Sequence, residues 1–151
     1  MQLTSPAFAH QGLIPARYTC DGDNVNPPLV IAGVPEQAVS LVLIMDDPDV
    51  PKHLRPDGMW DHWVVFDIPP QTREIAENSE PEGVHGLGTG NNLEYFGPCP
   101  PDREHRYFFK LYALDCKLNL PQGSGKAEVE QAMAGHILAE AQLLGRYNRP
   151  R

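Results

Sequence analysis

The chain has 151 residues, with 16 prolines and 13 glycines, a formal net charge of −8 and a pI near 5.1. Proline inside a helix removes a hydrogen bond and clashes with the preceding turn at about 3 kcal/mol, so this density excludes a mostly helical bundle. The acidic balance argues against nucleic acid and anionic membrane surfaces as partners, and no run of about 18 apolar residues is present to cross a bilayer.

One domain spanning 1–151 is expected, since a chain of this length buries a sizeable core without staples. The first residues, MQLTSPAFAHQG, carry neither a basic nor an apolar leader segment, so a cytoplasmic chain is expected. Cys20, Cys99 and Cys116 are too few for a disulfide framework and too scattered for a CxxC metal clip; a single pair stays open.

In chain order, residues 1–28 are dense in turn signals, from Ser5-Pro6 to Asn26-Pro27-Pro28, and read as irregular or edge structure. Leu29–Ala32 and Leu41–Met45 have the length of buried strands, the second stopped by Asp46-Asp47-Pro48. Over His62–Ile68 the pattern alternates, with His62, Val64, Phe66 and Ile68 on one face and Trp63, Val65 and Asp67 on the other. Residues 69–104 show little periodicity, an acidic stretch and many glycines, and have room for one or two short strands inside a long ordered loop. Arg106–Leu114 is the strongest strand, with Tyr107, Phe109, Leu111 and Ala113 sharing a face. A helix is predicted over Lys126–Arg146, because Val129, Ala132, Met133, Ile137, Ala141 and Leu144 recur at steps of three and four.

Chemistry-bearing residues collect in two places. Asp47-Pro48-Asp49-Val50-Pro51 precedes His62, and Gly97-Pro98-Cys99-Pro100-Pro101 precedes His105-Arg106-Tyr107. Each half sets a proline-rigid turn ahead of a histidine at a strand start, which would bring two imidazoles and a carboxylate to one rim of a sheet. A carboxylate favours a neighbouring imidazolium, a donor suited to phosphate or carboxylate, while Trp60, Trp63 and Tyr107 offer aromatic faces to a cationic or neutral head group. Two competing chemistries are weaker. Asp47, Asp49, His62 and His105 are metal-ligand types without a local ligand pair, and Cys99 near His105 is the best pair for a cysteine hydrolase. No Gly-x-Ser-x-Gly elbow and no phosphate loop are present.

These two segments, Asp47–Pro51 with Trp60-Asp61-His62-Trp63 and Gly97–Pro101 with His105-Arg106-Tyr107, resemble the two signatures of the phosphatidylethanolamine-binding protein family, also called the Raf kinase inhibitor protein family. Tyr18–Pro28 and Ala132–Ala139 resemble its bacterial and archaeal branch, so the likeness covers nearly the whole chain. The resemblance implies a mainly β fold, an antiparallel β-sandwich with peripheral helices including a C-terminal one, and a small anion pocket at one end. By motif position the pocket residues are Asp47, Pro51, Trp60, His62, Pro100, Pro101, His105 and Tyr107, with Gly97 and Cys99 along the loop. It also implies a non-catalytic protein without cofactor that accepts phosphoethanolamine-like head groups, phosphate or small carboxylates. Some members inhibit kinases or serine proteases, and some prokaryotic ones form homodimers. Gly90-Asn91-Asn92-Leu93-Glu94-Tyr95 departs from the family's Asn-Asp pattern, and the Pro101-to-His105 spacing is shorter than in animal members.

Overall fold

A computed structural model describes residues 1–150. Its elements in chain order are β1 (Gln2–Thr4), β2 (Gly12–Leu13), a 3-10 turn (Ala16–Tyr18), β3 (Leu29–Ala32), β4 (Ser40–Asp47), β5 (Trp60–Ile68), β6 (Glu74–Ile75), β7 (Val84–His85), β8 (His105–Leu114), α1 (Lys126–Met133) and β9 (Ile137–Tyr147). A three-stranded sheet, β1-β3-β6, packs on a six-stranded sheet, β2-β9-β8-β4-β5-β7. All pairings are antiparallel except the two-residue contact of β2 with β9. The predicted sandwich is therefore present, and the long 69–104 stretch holds two short strands, β6 and β7.

β4 explains the layering. Every one of its eight residues is buried, as expected of a strand covered on both faces, where the sequence runs apolar without alternation. Leu41, Leu43 and Met45 point into the core between the sheets, with Tyr107, Phe109, Leu111 and Ala113 of β8 beside them. Val42 and Ile44 point the other way, into a second cluster with Val64, Phe66, Val129 and Met133, where α1 covers the outer face. Asp46 follows the same alternation and lies on the outer face, where Lys110 and Lys126 reach its Oδ2 at 2.9 and 3.1 Å.

Two expectations are corrected. The predicted helix Lys126–Arg146 ends at Met133, and its second half is β9. Gly135 takes φ +82°, a left-handed conformation that turns the chain out of α1. From there Ala139, Ala141, Leu143 and Tyr147 alternate onto the inter-sheet core, a period-two pattern that coexists with the helical one and wins because β8 supplies a ladder partner along nearly its whole length. Ile68 does not share a face with Val64 and Phe66; it joins Trp63 and Val65 in the inter-sheet core. Asp67 at φ +52° is the extra residue of a bulge, since Leu41 pairs with Ile68 and Leu43 with Val65.

The open cysteine pair is closed: Cys20 and Cys99 form a disulfide with Cα atoms 5.5 Å apart. No described helix is long and apolar enough to cross a membrane. The bond closes a sequence separation of 79, for which chain entropy alone contributes roughly 4 kcal/mol. Replacing Cys20 and Cys99 together by serine is expected to lower unfolding free energy by about 2–4 kcal/mol, read by urea denaturation, and an unchanged midpoint would contradict that contribution.

Candidate functional site

The site forms where β4, β5 and β8 end on the same side of the large sheet. At the start of β5 the register slips: Met45 pairs with Trp63, but Asp46 pairs with Asp61, so His62 is the extra residue of a bulge. Bulges re-aim side chains near functional sites. Simple alternation would send His62 to the outer face with Val64; the bulge turns it inward, where its ring meets that of Tyr107 edge-on at 5.4 Å. The neighbouring loop braces this turn. Asn92 Nδ2 donates to the His62 carbonyl at 2.8 Å, and the Asp61 amide donates to Thr89 Oγ1 at 2.8 Å.

His62 is 4% exposed and its Nδ1 lies 2.7 Å from the Phe96 carbonyl. A carbonyl only accepts, so Nδ1 carries the proton and Nε2 is left with a lone pair. Burial lowers the imidazole pKa to about 4, against a smaller opposing effect of the Phe96 contact. At neutral pH His62 is therefore an uncharged acceptor, not the imidazolium donor that a neighbouring carboxylate would favour.

His105 is fully buried, with Nδ1 2.6 Å from Asp47 Oδ2 and Nε2 2.7 Å from Asp102 Oδ1. Each ring nitrogen therefore meets a carboxylate, and the two contacts fix the ring in place. Asp47 also accepts the Asp49 amide at 2.8 Å, an Asx turn that starts the proline-rigid loop. Burial pushes the Asp47 carboxyl above its usual range, with His105 and the Asp49 amide pulling the other way. Asp49 itself turns outward and holds Arg106 in a fork, with Arg106 Nε and Nη2 at 2.9 and 2.8 Å from its two oxygens. That contact joins the end of β4 to the start of β8, and it removes Asp49 from the proposed metal set.

Tyr107 stands between the imidazoles, its ring 5.4 Å from that of His62 and 6.4 Å from that of His105. It is fully buried, and its hydroxyl has no hydrogen-bond partner. Burial, then the charge of Asp47, raises its pKa far out of the physiological range, so the hydroxyl stays a donor.

The remaining wall comes from the 95–101 loop, fastened to the N-terminal segment. The Cys20 amide donates to the Pro98 carbonyl at 3.1 Å, Tyr95 Oη to the Tyr18 carbonyl at 2.7 Å, and the Gly97 amide to Asn24 Oδ1 at 2.8 Å. A Cβ on Gly97 would fall 2.1 Å from the Tyr18 carbonyl oxygen, so only glycine permits this approach.

Together these residues enclose a cavity of about 170 Å³ lined by Asp47, Val50, Leu54, Trp60, His62, Phe96, Cys99, Pro101, His105 and Tyr107. Seven of the ten residues expected at the site line it. Pro51, Gly97 and Pro100 do not: Pro51 accepts the Leu54 and Arg55 amides within its turn, and Gly97 packs beneath the Tyr18 carbonyl. Trp63 belongs to the core and donates Nε1 to Glu80 at 2.9 Å. Sequence reasoning missed Val50, Leu54, Phe96 and Asp102. Val50 stood inside the first motif and Asp102 three residues before His105, so both were within reach; Leu54 and Phe96 carried no local signal. The Cys99 sulfur is held by Cys20, which removes the nucleophile from the cysteine-hydrolase reading.

Residues 4–148 match the family described as phosphatidylethanolamine-binding protein. The chain is 50% identical over 155 residues to a UPF0098 protein of Methanothermobacter thermautotrophicus and 46% identical over 149 residues to one of Chlamydia trachomatis, covering 99% of each chain in both cases. Its fold is similar to the crystal structure of the phosphatidylethanolamine-binding protein homologue CT736 from Chlamydia trachomatis, with a TM-score of 0.96, 46% identity and coverage of 99% and 97% of the two chains. The crystal structure of Escherichia coli YbcL, described as a new member of the mammalian PEBP family, matches with a TM-score of 0.88, 27% identity and coverage of 99% and 98%. The chain belongs to the phosphatidylethanolamine-binding protein family.

The state of His62 has a measurable consequence. The unfolded chain takes up a proton there near pH 6.5, whereas the folded one does so only near pH 4. Stability from this group is present above pH 6.5 and is lost as pH falls toward 4, by up to about 3 kcal/mol at 1.36 kcal/mol per unit. NMR of the imidazole should show a midpoint near 4; one near 6.5 would place the ring in solvent.

Proposed function

We propose that this chain is a non-catalytic binding protein whose cavity takes a small phosphate- or carboxylate-bearing group, of the size of a phosphoethanolamine head. One observation carries the reading: the buried Tyr107 hydroxyl is unpaired inside the cavity. Leaving a buried donor unsatisfied costs about 1–3 kcal/mol, a cost that a ligand oxygen reverses.

The charges around it select the ligand. His105 is taken up by Asp47 and Asp102, and His62 is neutral, so the cavity presents one hydroxyl donor and one imidazole acceptor rather than a cationic cluster. A phosphate monoanion matches both, offering an oxygen to Tyr107 and its own hydroxyl to His62 Nε2; a carboxylic acid does the same. Trp60, Val50, Leu54 and Phe96 keep the site largely apolar, which strengthens those two bonds. A volume of about 170 Å³ equals roughly six waters at about 30 Å³ each. That admits a head group and excludes an entire lipid.

A second reading, inhibition of a kinase or serine protease at the rim, is favoured by Leu54 and Phe96, apolar mouth residues that remain 55% and 39% exposed. It predicts a complex that free phosphate dissolves.

The test is an NMR titration with inorganic phosphate and with phosphoethanolamine at millimolar concentration. His62 and Tyr107 resonances are expected to shift, and Tyr107→Phe is expected to weaken binding about tenfold or more while leaving stability unchanged or slightly raised. Equal binding by Tyr107→Phe, or no response in the wild type, would sink the assignment.

A further inference from the structure

At the opposite end of the β8–β9 ladder, Asp115 follows β8, Cys116 comes next, and His136 precedes β9. Their ligand atoms lie within 4.8 Å of one another. We propose that Asp115, Cys116 and His136 bind a divalent transition-metal ion, with Zn2+ the best fit and water in the fourth position. The site is separate from the cavity: ten residues of extended β8 divide His105 from Asp115, about 33 Å at roughly 3.3 Å per residue.

Three observations point to a metal. The donor set is thiol, imidazole and carboxylate, the three side-chain types zinc accepts, and three protein ligands with an open position form a common zinc arrangement. Zinc–ligand bonds near 2.0–2.3 Å place tetrahedral donors roughly 3.3–3.8 Å apart, so side-chain rotations of about an ångström close the cluster.

The segments that carry the donors are fixed by the backbone. The Asp115 amide donates to the His136 carbonyl at 3.0 Å, the His136 amide to the Met133 carbonyl at 2.9 Å, and Ser40 Oγ to the Cys116 carbonyl at 2.6 Å. Gly135 at φ +82° supplies the turn that brings His136 back to Asp115. Preorganisation of this kind reduces the entropy lost on binding.

Local charge suits a cation: the Asp115 carboxylate lies in the same cluster as the Cys116 sulfur and the His136 imidazole. As an ion binds, the thiol proton leaves to solvent while the thiolate–metal bond forms, and the carboxylate favours the ion. His136 Nδ1 lies 2.8 Å from Asp115 Oδ1, so the imidazole and carboxylate already face each other. Both side chains are about half exposed, which gives the ion a path in.

Cobalt(II) titration of the full chain tests this, because thiolate ligation produces a charge-transfer band that carboxylate and imidazole alone do not. Among the described residues Cys116 is the free cysteine, with Cys20 and Cys99 joined, so the band reports on this site. The expected result is one equivalent of Co2+ with a charge-transfer band and tetrahedral d–d bands, displaced by Zn2+. Cys116→Ser should abolish the charge-transfer band, and His136→Ala should weaken Zn2+ binding at least tenfold by calorimetry, with circular dichroism confirming that both variants fold. No band at stoichiometric Co2+, or a band that survives in Cys116→Ser, overturns the proposal.

Discussion

Burial of β4 on both faces is the constraint on which the rest of the molecule depends. A strand with eight buried residues needs a layer on each side, and the chain provides the small sheet on one and α1 on the other. Because side chains alternate across a strand, consecutive acids at its end are sent in opposite directions. Asp46 meets lysines on the outer face, and Asp47 meets His105 on the inner one. The candidate site is thus the place where the doubly covered strand runs out and its last carboxylate must be paired.

Pairing there uses strands that are distant in sequence. Asp47 ends β4 and His105 starts β8, so one buried contact ties two strand ends, while Arg106 and Asp49 repeat the tie at the surface. The His62 bulge adds β5 to the same rim. Most polar groups in this cluster satisfy each other. The Tyr107 hydroxyl does not, and its position between the two imidazoles explains why it bears on the functional reading.

The fourth wall comes from irregular chain, and its rigidity has a different source. Residues 95–101 have no ladder; they are held by the Cys20–Cys99 bond and by hydrogen bonds from the 18–24 segment. A cavity with one irregular wall is as well defined as that wall, so the cross-link and the close Gly97 approach do for the loop what pairing does for the strands. The metal-ligand cluster at the far end is also built at a junction, where β8, α1 and β9 meet.

The sequence by itself determined the mainly β class, four of the strands, the two proline-histidine segments and most of the residues around the cavity. Local physics was enough for these: proline excludes helix, alternation marks a strand face, and proline-rigid turns mark where strands stop. Tertiary structure alone decided what depends on pairing. The bulges at His62 and Asp67 set which face each side chain takes, and a bulge exists only relative to a partner strand. Residues 137–147 satisfy helical and strand periods together, and β8 chose between them. Leu54 and Phe96, the Cys20–Cys99 bond, and the meeting of Asp115 and Cys116 with His136 are long-range contacts; no local pattern encodes them, because their chemistry appears only when the chain brings distant segments together.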